Sequence, residues 1–206
     1  MRQRNVDRVE TRARKQELSG LNLRTATGGI LVNLAHRGRR RLWLLPVKIA
    51  MVPIPPLVTE FLSATRVAVA GVSRSSGQPA NAILRRLRDG GHDVVAINPN
   101  AADQLEGAKC YPDLAAVPGS IEALMVVVPP VAAERLVRQA AARGITRIWF
   151  HRSFGEGSVS EGALQACAEL GIRPIVGGCP LMFCPPVDVA HRCMRWLLAH
   201  RGRIPA

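Results

Sequence analysis

From residue 57 onward, short apolar runs alternate with stretches in which apolar residues return every three or four positions. The first pattern predicts strands and the second helices. PPLVTEFLSA reads as a short helix and RVAVAG as the first strand; Ile83, Leu84 and Leu87 then give a helix over 80–88 with one buried face, stopped by Gly90-Gly91. HDVVAIN is the second strand, broken by Asn98-Pro99-Asn100. After a looser segment containing YPDLAAV, the run EALMVVVPP is apolar throughout, as a strand covered on both faces should be. VAAERLVRQAAARG (helix), ITRIWFH (strand), SEGALQACAELG (helix), RPIVGG (strand) and DVAHRCMRWLLAH (helix) complete the series. Such alternation predicts an α/β fold: a Rossmann-like, doubly wound, mainly parallel sheet of about five strands with helices on both faces. The last helix is expected to lay its apolar face on that sheet.

Residues 1–56 lack this patterning and read as a poorly ordered basic extension, with the folded domain over 57–206. At 206 residues and 48% hydrophobic, the chain can bury a full core. Its net charge of +13 suits a nucleic-acid binder, yet the distribution changes that picture: residues 1–50 hold 12 Lys/Arg against 3 Asp/Glu, and the remainder 16 against 12. Contact with nucleic acid is thus expected only through the basic extension, whose cluster HRGRRR has no interleaved aromatics. The other readings of that segment are a solvated tail, or translation that begins at Met51. The stretch from Arg39 to Val58 is apolar but interrupted by Lys48 and by Pro46, Pro53, Pro55 and Pro56, so no membrane span is expected. Five cysteines form an odd set without the density of a disulfide scaffold, which fits a reducing cytoplasm.

In open parallel sheets ligands bind beyond the carboxyl ends of the strands, so the segments to read are GVSRSSGQ, NPN, VPP, HRSFGEG and GGCPLMF. Gly71 allows a tight turn, and Gly77 with Pro79 opens the next helix over a loop rich in hydroxyls, Ser73, Ser75 and Ser76, with Arg74 as a mobile cation. Amides and hydroxyls in that arrangement suit a pyrophosphate. The dinucleotide fingerprint is G-x-G-x-x-G with an acid closing the second strand; here the loop is G-x-S-x-x-x-G and the strand closes on Asn98. A carboxylate there would repel a phosphorylated ribose, whereas an amide would not. An NADP-dependent oxidoreductase is therefore one reading of the loop.

RVAVAGVSR, AINPN, GAKCYPDLAAVP, VVVPPVAAERLVRQAAARGITRIWF and GGCP occur in an order and spacing that carry a more specific resemblance. From about residue 57 to about 186 the chain resembles the small bacterial CoA-binding proteins, whose domain is shared with succinyl-CoA synthetase alpha subunits. That resemblance implies coenzyme A or an acyl-CoA as the small-molecule partner. Gly71, Val72, Ser73, Arg74 and Ser75 would border its phosphates, Asn98 and Pro99 its adenosine side, and Val128, Pro129 and Pro130 the wall beside the nucleotide. Cys179-Pro180 matches the family's Cys-Pro step near the ligand. The chain departs from the pattern at Gly177-Gly178, where Asp-Arg is usual, around Met182-Phe183, where a glutamate is usual, and at Phe150, His151 and Arg152.

A complete ligase would also need a phosphorylated histidine on a second domain, for which there is no room after Pro186, so the expected function is binding without catalysis, as a sensor or carrier. His151 is the one histidine at a strand's carboxyl end, either a base or phosphate donor or a rim residue. Arg152 is expected to contact an anionic ligand. Cys179 is either a nucleophile or mixed-disulfide partner for the CoA thiol, or a small buried hydrophobe. The spacing C-x4-C-x6-H-x-C from Cys179 to Cys193 is not that of a common zinc site.

Overall fold

A computed structural model describes residues 53–100, 103–152 and 157–202. The basic extension expected over 1–56 lies outside the described residues up to residue 52. Among those described, the elements run α1 (Pro56–Leu62), β1 (Arg66–Ala70), α2 (Pro79–Asp89), β2 (Asp93–Ile97), β3 (Gln104–Leu105), β4 (Ala108–Tyr111), β5 (Ala123–Val126), α3 (Pro130–Ala142), β6 (Arg147–Phe150), α4 (Glu161–Glu169), β7 (Ile175–Val176), a short 3-10 helix (Pro180–Met182) and α5 (Val189–His200).

The strands form one sheet in the order β3-β4-β2-β1-β5-β6-β7, parallel except for the β3–β4 hairpin. The α/β class and parallel, doubly wound sheet are as expected. Two strands exceed the expectation, because the segment after Asn100 folds back as the β3–β4 hairpin and β4 pairs with β2 through Ala96 and Ile97.

Period-two alternation assigns each strand residue to one of two cores. Val67 and Val69 face a cluster with Val58 and Phe61 of α1, Ile83, Leu84 and Leu87 of α2, and Trp149. Ala68 and Ala70 face the other, with Leu136, Val137 and Ala140 of α3, Ala163 and Ala166 of α4, and Phe150. The small residues Ala68 and Ala70 lie on the second face of β1, and the larger Val67 and Val69 on the first. Trp149 fills the first core: its indole N–H donates to the Gly177 carbonyl at 2.7 Å, and its ring meets Phe61 edge-on at 5.2 Å and Phe183 at 5.9 Å.

Proline opens α1, α2 and α3 at their first turns, where its missing N–H costs nothing. Ser160 and Asp188 cap α4 and α5 through their side chains. The expected seat of α5 on the sheet is replaced by an indirect one. None of its residues is buried; it lies against the 3-10 helix, with Met194 and Leu198 reaching the first core and the Arg195 guanidinium 4.9 Å above Phe183. The polar positions between its apolar ones leave too narrow a stripe for direct docking.

Candidate functional site

The chain turns to opposite sides of β1 to make β2 and β5, so the carboxyl end of β1 is the switch point of the sheet. A cleft of about 200 Å3 opens there. Ala70 and Gly71 form its back, Ile97, Asn98 and Pro99 one side, Val128, Ala132, Arg135, Leu136 and Gln139 the other, and Pro112 with Asp113 the end beyond β4. A larger groove of about 470 Å3 lies beside the start of β7, between Leu57, Leu164 and Arg173, away from the strands' carboxyl ends. We place the candidate site in the smaller cleft, because every β-strand next to the switch point ends in it.

Gly71 is required at the back of the cleft. Its φ is +98°, and a Cβ there would stand 2.0 Å from the Val127 carbonyl oxygen. Its amide donates to Ile97 O at 3.1 Å, while the Val127 amide donates to Ala70 O at 3.0 Å, so the turn is wedged between the ends of β2 and β5.

The loop that follows is held largely by side chains. Val72 is buried, and its carbonyl accepts from the Asn98 side-chain amide at 2.7 Å. The Asn98 Oδ1 accepts from the Asn100 amide at 2.8 Å. Both ends of the Asn98 side chain are thus engaged within the protein, and it shapes the cleft wall rather than presenting a free amide. The Ser75 amide donates to Ser73 Oγ at 3.2 Å, closing a small turn, and the Arg74 guanidinium donates to Asn100 O at 3.3 Å, spanning the mouth between the first and second loops. Pro129 and Pro130 open α3 beside Val128.

Of the residues singled out from sequence, Gly71, Asn98, Pro99 and Val128 meet in the cleft, with Ser73, Arg74, Ser75, Pro129 and Pro130 around it. His151, Arg152, Cys179 and Pro180 form a second group beyond β6 and β7. The His151 amide donates to Val126 O at 2.9 Å, and Arg152 pairs with Gly178. His151 is 9% exposed, and burial pushes its pKa below the ordinary value. Cys179 is buried in the first core at the start of a three-residue 3-10 helix, and Pro180 is buried beside it. Among the described residues no three His, Cys, Asp or Glu side chains gather closely enough to hold a metal ion.

Sequence reasoning missed Pro112, Asp113, Arg135, Leu136 and Gln139 in the cleft, and Asn81 behind the loop. Arg135 and Gln139 are one helical turn apart on α3, a signal of a shared face. Asn81 stands out as a polar residue among Ala80, Ile83, Leu84 and Leu87 on the buried face of α2.

The CoA binding domain family matches residues 65–185, from the first strand through the Cys-Pro step. The chain belongs to this family. Curated relatives include the ADP-forming acetate–CoA ligase of Methanocaldococcus jannaschii, 29% identical over 79 residues, and the ADP-forming acetate–CoA ligase II of Archaeoglobus fulgidus, 32% identical over 81 residues. Each match takes in 38% of this chain but only 11% and 12% of the respective ligase. Among solved structures, Prb, the PH1109 protein redesigned for binding, aligns with a TM-score of 0.54 at 26% identity, covering 70% of this chain and 90% of its own. A hypothetical protein from Pyrococcus horikoshii OT3 gives 0.54 at 27% identity, covering 59% of this chain and 83% of its own. No helix among the described residues is long and apolar enough to cross a membrane.

Proposed function

We propose that this chain binds coenzyme A or an acyl-CoA at the switch-point cleft and holds it without turning it over, as a sensor or carrier. The observation that carries the reading is the coincidence of the family match with a cleft at the switch point of the sheet. Ile97, Val128 and Leu136 supply apolar walls for a base and Arg135 a positive charge, and the 73–77 loop that follows Gly71 adds hydroxyls and Arg74 beside the cleft for phosphates. A volume of about 200 Å3 is below the usual range for a drug-sized ligand, so the cleft takes the nucleotide end. The pantetheine arm then runs along the carboxyl edge of the sheet, past β5 towards His151 and Cys179.

The reading of binding without turnover rests on the state of the candidate groups. His151 is buried and kept neutral, and Cys179 is packed among apolar side chains, so neither is poised as an accessible nucleophile. Ala132 lines the cleft from the exposed first turn of α3, where a large residue blocks the space without entering the core. Ala132→Trp is expected to weaken CoA binding by about tenfold or more with little change in melting temperature. Equal affinity in the variant would place the ligand elsewhere. Incubation with acetyl-CoA, ADP and phosphate is expected to yield no ATP, and steady ATP formation would overturn the non-catalytic reading.

A further inference from the structure

Glu106 is the one non-glycine residue with positive φ among the described residues, at +50°. With Gly107, at +77°, it makes the two-residue turn of the β3–β4 hairpin, in which Leu105 pairs with Ala108. Such turns favour Asn, Asp or Gly at the first position, and a long unbranched acid there is a costly choice. Conformations of this kind persist where surrounding contacts over-determine them. Here those contacts lead to the phosphate loop. One Glu106 carboxylate oxygen accepts from Asn81 Nδ2 at 2.8 Å, the other pairs with Arg85 at 2.7 Å, and its backbone carbonyl accepts from Arg88. Asn81, fully buried, donates its other Nδ2 proton to Ser73 O at 2.7 Å and accepts the Ser73 amide on Oδ1 at 3.0 Å.

The chain of contacts Glu106, Asn81, Ser73 therefore runs from the hairpin tip to the first residue of the loop's polar arch. The carboxylate admits only the donor end of the Asn81 amide, which turns Oδ1 towards the Ser73 amide and fixes both Ser73 backbone groups. The same two partners, Asn81 and Arg85, keep the Glu106 carboxyl below the usual carboxylate range, so the acceptor stays ionised at neutral pH.

We propose that Glu106 is a positioning residue for ligand binding: acting through Asn81, it sets the 73–77 loop in its phosphate-receiving conformation before the ligand arrives. The proposal rests on the reading that this loop meets the phosphates of CoA.

Two variants of the full chain separate this role from simple support of the fold. Glu106→Asn suits the turn better, but its shorter, uncharged side chain gives up the Arg85 pair and the reach to Asn81. Glu106→Gln keeps the length and an acceptor oxygen. Glu106→Asn is expected to melt within a few degrees of the wild-type temperature, the better turn residue offsetting the lost contacts, to bind CoA about tenfold more weakly, and to exchange the Ser73 amide faster. Glu106→Gln is expected to recover most of both losses. Wild-type CoA affinity and Ser73 protection in Glu106→Asn would overturn the positioning role. Absence of CoA binding by the wild-type chain would instead overturn the ligand reading; Ser73 exchange, measured without ligand, reports on the loop independently of that result.

Discussion

A methyl group at Gly71 would need both a positive-φ backbone that L-residues avoid and room already occupied by the Val127 carbonyl. Gly71→Ala is therefore expected to cost at least about 1–2 kcal/mol, read from the urea midpoint, and to abolish CoA binding by moving β1 away from β5. The sequence showed this glycine clearly, since a glycine that closes an apolar strand before a small-residue loop marks a turn with no room for a side chain. Asn98 was legible as a residue of the candidate cleft, but its bonding was not. Its side chain is spent on Val72 O and the Asn100 amide, bonds between loops that no local pattern encodes.

His151 provides a test by pH. Burial lowers its folded pKa beneath the ordinary 6.5, so between that folded value and 6.5 the unfolded chain binds the proton that the folded chain refuses. The contribution is fully present above 6.5 and is lost as pH falls below it. Denaturant titrations from pH 7.5 down to pH 5 are expected to show falling stability, with a shallower fall in His151→Gln; equal slopes would show that His151 takes no part.

The helices were the easiest elements to read, because each carries an apolar repeat, and α1 to α3 each also begin with a proline. The β3–β4 hairpin was missed for physical reasons: β3 has two residues, and its turn uses Glu-Gly in place of the Asn-Gly that marks such hairpins in sequence. With that hairpin unseen, Asp113 beyond β4 and the link from Glu106 to the loop were out of reach. The far side of the sheet depends on Trp149, which ties β6 to the segment after β7 through Gly177. Trp149→Phe leaves the Gly177 carbonyl without this donor and is expected to cost about 1–3 kcal/mol, with faster amide exchange over residues 175–183. Unchanged exchange there would show that strand pairing alone holds the segment.

At the scale of the molecule, two apolar layers grip one sheet, and the sheet's switch point presents the cleft. That much follows from the alternation of strand and helix with a reversal of strand order. The site's polar inventory does not, since Asp113 after β4 and the pair Arg135 and Gln139 on α3 reach the cleft from two separate segments whose convergence depends on the crossover of the chain. The central claim is that this convergence holds coenzyme A by its phosphorylated nucleotide end. Calorimetric titration of the full chain with CoA, dephospho-CoA, NAD and NADP at a single salt concentration tests it most directly. The account predicts micromolar binding of CoA, weaker binding of dephospho-CoA, and weaker binding still of both dinucleotides. Binding of NADP with no response to CoA would contradict it.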